Sequence, residues 1–570
     1  MKEGVQLLLL LVVHLALTGL PGVAATLFAA RRGIREVPVL LAIGLAATGL
    51  VAMLAFWAFY ADPLAGESFA YLVLFGSILL TGWALHGGHL DTMLLRRLAT
   101  PLALWILGSG FLLYFGFLHA GADTSLATAA TRFSGQLPSD NFIPLFFAEW
   151  FFHHGHSGTP PVFPGEWLAS DRPPLQVGYV ISQMPFGWGG RELHYQVLGV
   201  ILQQLWIVGL WALLLAARVG RVTRALAMVT VLVSDIAIVN GFFVWPKMLP
   251  AAMLLAAAAL LVTPLWPELR RNLWGAVLVA ALLGLALLGH GASVFGVIPL
   301  ALVAAFRGLP SWRWIGVALL AGFVLMAPWS AYQRYGDPPG DRLTKWMLGG
   351  VIEIDSRSPT EAILDSYRET GLGGTLHNKA ENFVAIAGGG PAMNLLDNAA
   401  SAAGSGDLEL AVRELRWMLF YYLLPSLGLL LIAPFAMVTA WRRDRGDPRD
   451  WSFSLTCWAV FFVGAVFWGL LIFGGSAAKT VIHQGTYLLP VLGLCATVAG
   501  LRAAFPRFAF YFVGFSALFM LAIYVPAFDP PPATSYSRVA ILAVAASLVG
   551  FVAVAFRSDR ASETVNTLAR

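Results

Sequence analysis

The chain has 570 residues, 58% of them hydrophobic and only 12% charged, with a mean hydropathy of +0.74. Soluble domains carry about 25% charged residues, and no soluble core hides this much apolar surface, so a soluble globular protein is excluded. The formal net charge is +5, but the arginines cluster in short loops between apolar runs, which is the positive-inside pattern of a membrane protein and not a nucleic-acid footprint.

Apolar runs of about 20 residues recur along the chain, the signal of membrane-spanning helices. They predict an all-α, polytopic membrane protein with about fifteen spans, near 5–29, 37–59, 69–86, 98–119, 195–217, 225–241, 246–265, 273–290, 293–306, 315–333, 417–440, 452–474, 487–501, 508–527 and 538–556. The first run is long and is followed by Arg31, Arg32 and Arg35, so it reads as a retained span and not a cleaved signal peptide. Cys457 and Cys495 both fall inside apolar runs, which argues against a disulfide framework.

With these spans, the arginine clusters at 31–35, 96–97, 218–224, 270–271, 307–313, 441–449, 502–507 and 557 all fall on one side. That side is expected to be cytoplasmic. Two long polar segments, about 120–194 and 334–416, then lie on the outer, periplasmic side of an inner-membrane protein. Both are too long to be mere connectors. Long loops on one face of a rigid scaffold tend to carry function. In the second, "SPTEAILDSYRETG" predicts a short helix capped by Ser358, with Glu361 completing a capping box. This loop reads as a small lid.

The first loop contains the chemistry. Asp140, in "LPSDN", suits either a helix cap or a general base. The helix expected after it, "NFIPLFFAEWFFHHG", mixes apolar side chains with Glu149 and His153 and suits a membrane surface. Further on, "SDRPPL" fixes Asp171 and Arg172 before two prolines, which hold the backbone extended. Asp171 and Arg172 could pair with each other. Equally, the planar guanidinium suits an anionic head group.

The order of these elements, "DNFIPLFFAE" and then "SDRPPL", resembles the first outer loop of GT-C superfamily glycosyltransferases. Protein O-mannosyltransferases and the lipid A aminoarabinose transferase are of this kind. In such enzymes the loop commonly reads "DExRYAE", then an acid, a base and Pro-Pro-Leu. The resemblance covers about forty residues. Asn141 stands where the pattern has its second acid, and the loop follows the fourth span instead of the first.

The resemblance implies an inverting-type transfer of a sugar from a polyprenyl-phosphate donor to a glycan, lipid or protein acceptor at the outer membrane face. It casts Asp140 as the catalytic base, Asp171 as the second, orienting acid and Arg172 as a donor-phosphate ligand, with Asn141 and Glu149 near the substrate. It also divides the chain into extra N-terminal helices (1–97), a core with the catalytic loop (98–333), a lid (334–416) and C-terminal helices (417–570). No cofactor is expected.

Four further clusters are candidates. In "VNGFFVWPKMLPAAML", Lys247 beside Asn240 and Trp245 is a second candidate phosphate ligand, and relatives of this type often carry a similar Trp-Pro-Lys. The alternative is a lysine reaching to the interface. His290, with Ser293, lies in an outer turn. "AAKTVIHQGTYLLP" offers Lys479, His483, Gln484 and Tyr487 at an outer edge, with His483 and Tyr487 as candidate substrate contacts. His153, His154 and His156 have a spacing that a divalent ion could use, but "HHGHSG" equally marks a helix end. An O-antigen-type polymerase or ligase, or a lipid or glycolipid transporter, are the alternatives to the transferase. The outer face is not arginine-rich as in the former, and no paired halves are visible as in many transporters.

Overall fold

The structure is a computed structural model. It describes residues 2–86, 90–118, 139–189, 191–432, 434, 447–474, 487–524 and 535–557. The described residues are almost entirely helical, with one isolated bridge between Phe163 and Trp167. Among them, nine helices are long and apolar enough to cross a membrane, or up to eleven if each of two bent pairs is one span. This marks a membrane protein.

Four helices open the chain: α1 (Lys2–Arg31), α2 (Val37–Ala61), α3 (Pro63–Leu85) and α4 (Thr92–Leu118). After the first loop, with α5 (Ile143–His154) and α6 (Leu175–Ile181), come α7 (Arg191–Gln203), α8 (Trp206–Ala216), α9 (Arg221–Leu232), α10 (Asp235–Phe243) and α11 (Met248–Leu261). Next are α12 (Leu273–Gly289), α13 (Val294–Phe306) and α14 (Trp312–Ala331). The second loop carries α15 (Arg342–Gly349), α16 (Pro359–Ala387), α17 (Pro391–Gly404) and α18 (Leu408–Tyr421). The chain ends with α19 (Pro448–Leu471), α20 (Leu488–Ala504), α21 (Pro506–Tyr524) and α22 (Ser535–Arg557).

Helix α11 sits at the centre. It is apolar on every side and all of its residues are buried, as an all-round apolar helix must be. Its alanines let neighbours approach closely: a Cβ added at Gly209 of α8 would lie 2.4 Å from the Ala252 carbonyl oxygen. Small residues are the usual means of packing helices where lipid removes the hydrophobic drive. The periphery is the inverse of a soluble protein. Leu72 and Leu79 of α3, Leu319 and Phe323 of α14, and Phe515 and Leu518 of α21 are all exposed apolar side chains, in positions that suit lipid. Helix α22 packs along α4.

Two apolar runs depart from single straight spans. The expected span 225–241 is bent by 50° between α9 and α10. There Ser234 is extended and its hydroxyl caps α10 by accepting from Ala237 N, so the α9 ladder cannot continue through it. The run at 417–440 ends as an α-helix at Tyr421, and a 92° bend leads into a 3-10 segment at Pro425–Ile432. Tyr422 is extended before Pro425, and proline removes a donor from the ladder. In the second loop the expected short helix runs on to Ala387. Ser358 and Glu361 form the reciprocal capping box.

Candidate functional site

The two long loops meet at one end of the bundle, called here the loop face. Residues Ala169–Asp171 form a 3-10 turn, and Arg172 is extended before Pro173, as its place ahead of proline requires. The Asp171 carboxylate is buried and faces inward to the backbone. One oxygen accepts from Leu168 N at 2.9 Å and the other from Arg342 N at 3.3 Å. Ser170 makes the reciprocal contact, its N–H donating to Asp337 Oδ2 at 2.9 Å and its hydroxyl to the Asp337 carbonyl at 2.5 Å. Asp171 and Asp337 thus clasp one loop to the other.

Burial pushes the Asp171 carboxyl up from its ordinary value, while the two N–H groups and the charges of Arg342 and Arg172 pull it down. Asp171→Ala leaves the buried Arg342 N–H and the half-buried Leu168 N–H without their acceptor, a cost of about 1–3 kcal/mol for the buried group. We expect a lower thermal midpoint and new protease cuts between 334 and 358. An unchanged midpoint and cutting pattern would remove the clasp role.

Trp167 is the platform of this junction. The guanidinium carbons of Arg172 and Arg342 lie 3.9 and 4.1 Å from its ring centroid, inside cation–π range. Arg342 also donates to the carbonyls of Gly165, Glu166 and Ile352. Arg172 is therefore held by its backbone and by stacking.

The second half of the site is built by glutamines. Gln203 Oε1 accepts from the N–H groups of Lys247, Met248 and Leu249, at 3.2, 2.9 and 3.2 Å. It thereby satisfies the orphan donors at the start of α11. Its Nε2 donates to Gln176 Oε1 at 3.1 Å, and Gln176 Nε2 donates to Tyr195 Oη at 3.0 Å and to the Val244 carbonyl at 3.1 Å. Val244 has φ +53°. A β-branched residue in the left-handed region is strained and persists only where its surroundings hold it. Two residues on is Pro246, and then Lys247.

Lys247 Nζ lies 2.6 Å from His290 Nε2 and 5.0 Å from the Trp245 ring. His290 Nδ1 accepts from Ala292 N at 3.1 Å, which orients the ring. The charges of Lys247 and of Arg172 both act on His290. All three side chains are buried. Three basic groups from three separate segments thus converge in a low-dielectric setting. An arginine and a lysine held in such a setting suit an anionic group.

The other candidates are placed differently. The Asp140 backbone lies in the 3-10 turn Ser139–Phe142, and its side chain is outside those described. Asn141 is buried and fastens this turn. Its Nδ2 donates to the Phe243 carbonyl at 3.1 Å, and its own carbonyl accepts from Tyr195 Oη at 2.6 Å. It is thus a structural tie, and its amide nitrogen is engaged within the fold. Glu149 forms a partly exposed ion pair with Arg191 at 3.1 Å, a type of pair that contributes little to stability. Tyr487 is buried just ahead of α20. His483, Lys479 and Gln484 lie outside the described residues.

His154 donates to the Trp150 carbonyl at 3.0 Å and stacks on that indole, and His156 donates to the Ala61 carbonyl at 2.9 Å. Among the described residues, no group of three His, Cys, Asp or Glu could hold a metal ion. Sequence reasoning missed Gln176, Gln203, Tyr195 and Arg342. The signal for Gln203 was present in "VILQQLWIVG", where amides in an apolar helix need buried partners.

No family model, curated protein or solved structure matches the chain.

Proposed function

We propose that the protein is an inner-membrane glycosyltransferase of the GT-C type, moving a sugar from a polyprenyl-phosphate donor to an acceptor on the periplasmic side. The observation that carries this reading is the buried convergence of Arg172, Lys247 and His290 at the loop face. A polyprenyl donor cannot leave the bilayer, so its phosphate must be met at the membrane boundary by fixed cations. Arg172 offers a planar fork for phosphate oxygens and Lys247 a point charge.

In the proposed reaction the acceptor hydroxyl attacks the anomeric carbon and inverts it. The bond from that carbon to the phosphate oxygen breaks, and the electron pair leaves with polyprenyl phosphate. Arg172 and Lys247 hold the charge that develops there. Asp140 takes the hydroxyl proton. Asn141 ties the Asp140 turn to Phe243, four residues before Lys247, which supports base and cations acting on one substrate. Asp171 positions Arg172 through the loop clasp, and the 334–416 segment serves as a lid that keeps water from the donor. Glycan, lipid and protein acceptors are all compatible with this site.

A transporter of a lipid-linked sugar is the second reading. It is favoured by the bent pair α9–α10, with Asp235 wholly buried at the break, since broken helices and buried acids are transporter features. Purified protein in liposomes with a polyprenyl-phosphate sugar separates the two. Release of polyprenyl phosphate with sugar on an acceptor supports transfer. Movement of intact donor across the bilayer, without bond cleavage, would overturn it.

A further inference from the structure

Helix α16 changes character at its kink. Gly371 has φ +63° inside the helix, a conformation that glycine adopts at little cost. Before it the outward side chains are mostly charged, with Leu364 the apolar exception: Arg368 pairs with Asp365 at 3.3 Å, and Asp365 also binds Arg357 at 3.0 Å. After it, apart from His377, the large outward side chains are apolar: Leu372 is 77% exposed, Leu376 62%, Val384 48% and Phe383 36%. At 100° per residue these four share an arc of roughly 120°. His377 and Glu381 flank the arc and pair at 3.5 Å.

The level of this half-helix is set by α19, a helix long and apolar enough to cross a membrane. Asn382 Nδ2 donates to the carbonyls of Gly469 and Ile472, at 3.0 and 2.9 Å. Lys379 Nζ donates to the Ile472 carbonyl and, at 2.8 Å, to Tyr367 Oη. These are carbonyls at the C-terminal end of α19, which its own ladder leaves open. The apolar arc is thus fastened beside the C-terminal end of a helix long and apolar enough to span.

We propose that residues 372–387 form an interfacial helix whose Leu372–Leu376–Phe383–Val384 face lies in the acyl-chain region of the leaflet at the loop face. An amphipathic helix with a polar flank at this height has lipid as its natural partner. The charged half before Gly371 stays in water, so the kink separates a lipid-anchored half of the second loop from a solvated one. This inference is independent of sugar transfer.

Single-cysteine spin labels in lipid nanodiscs test it. The native Cys457 and Cys495 are both buried, so labelling falls on the introduced sites. Leu376→Cys and, separately, Leu372→Cys should be relaxed strongly by oxygen and weakly by a water-soluble nickel chelate. Arg368→Cys should show the reverse. Nickel accessibility at Leu376 and Leu372 equal to that at Arg368 would overturn the proposal. So would inaccessibility to both reagents, which would assign the face to a protein partner or a second copy of the chain.

Discussion

Arg172→Ala combined with Lys247→Ala is expected to cut kcat/KM for sugar transfer by roughly 10²–10⁴-fold while the protein still folds. Charge-assisted hydrogen bonds are worth about 1.5–3 kcal/mol each, and two together give that factor. Both side chains are buried, so salt screens them little. Arg172 also stacks on Trp167, so the thermal midpoint has to be measured alongside activity. Arg172→Lys keeps the charge and loses the planar fork, and should retain part of the activity. A double variant with normal midpoint and normal turnover would leave the cationic cluster without a role in transfer.

Asp140→Asn is expected to lower turnover by about 10²–10⁴-fold, the usual contribution of a general base, with donor binding kept. Asn caps a helix about as well as Asp, so a capping role predicts almost no change from this substitution. The two roles are thereby separated by one measurement. Turnover close to the wild type would remove the general-base role.

Much of the bundle was legible because apolar periodicity is a local property. The run at 248–261 needed no partner to be read as a helix, and Ser358 with Glu361 announced its own cap. The bends were less visible. The break at Ser234 and the turn after Tyr421 depend on one or two extended residues inside apolar runs, which hydropathy averages over. In the site, "SDRPPL" flagged Arg172 because proline geometry is also local. The partners of Asp171 were not legible: Leu168 is three residues away, but Arg342 comes from the other loop. The meeting of Lys247 with His290 likewise depends on how α11 and α12 pack, as does the capping of α11 by Gln203. The partners of Asn141 and Glu149, the Phe243 carbonyl and Arg191, are likewise distant in sequence.

In the proposed reaction the loop face recognises the phosphate of a lipid carrier. The most direct measurement compares binding of polyprenyl phosphate and of the uncharged polyprenol to the purified wild-type protein, by native mass spectrometry from the same detergent. Polyprenyl phosphate is expected to be retained, and polyprenol of the same chain length to be displaced far more easily. Equal retention of the two would show that only the lipid tail is recognised, and would contradict the assignment of Arg172, Lys247 and His290 as a phosphate site.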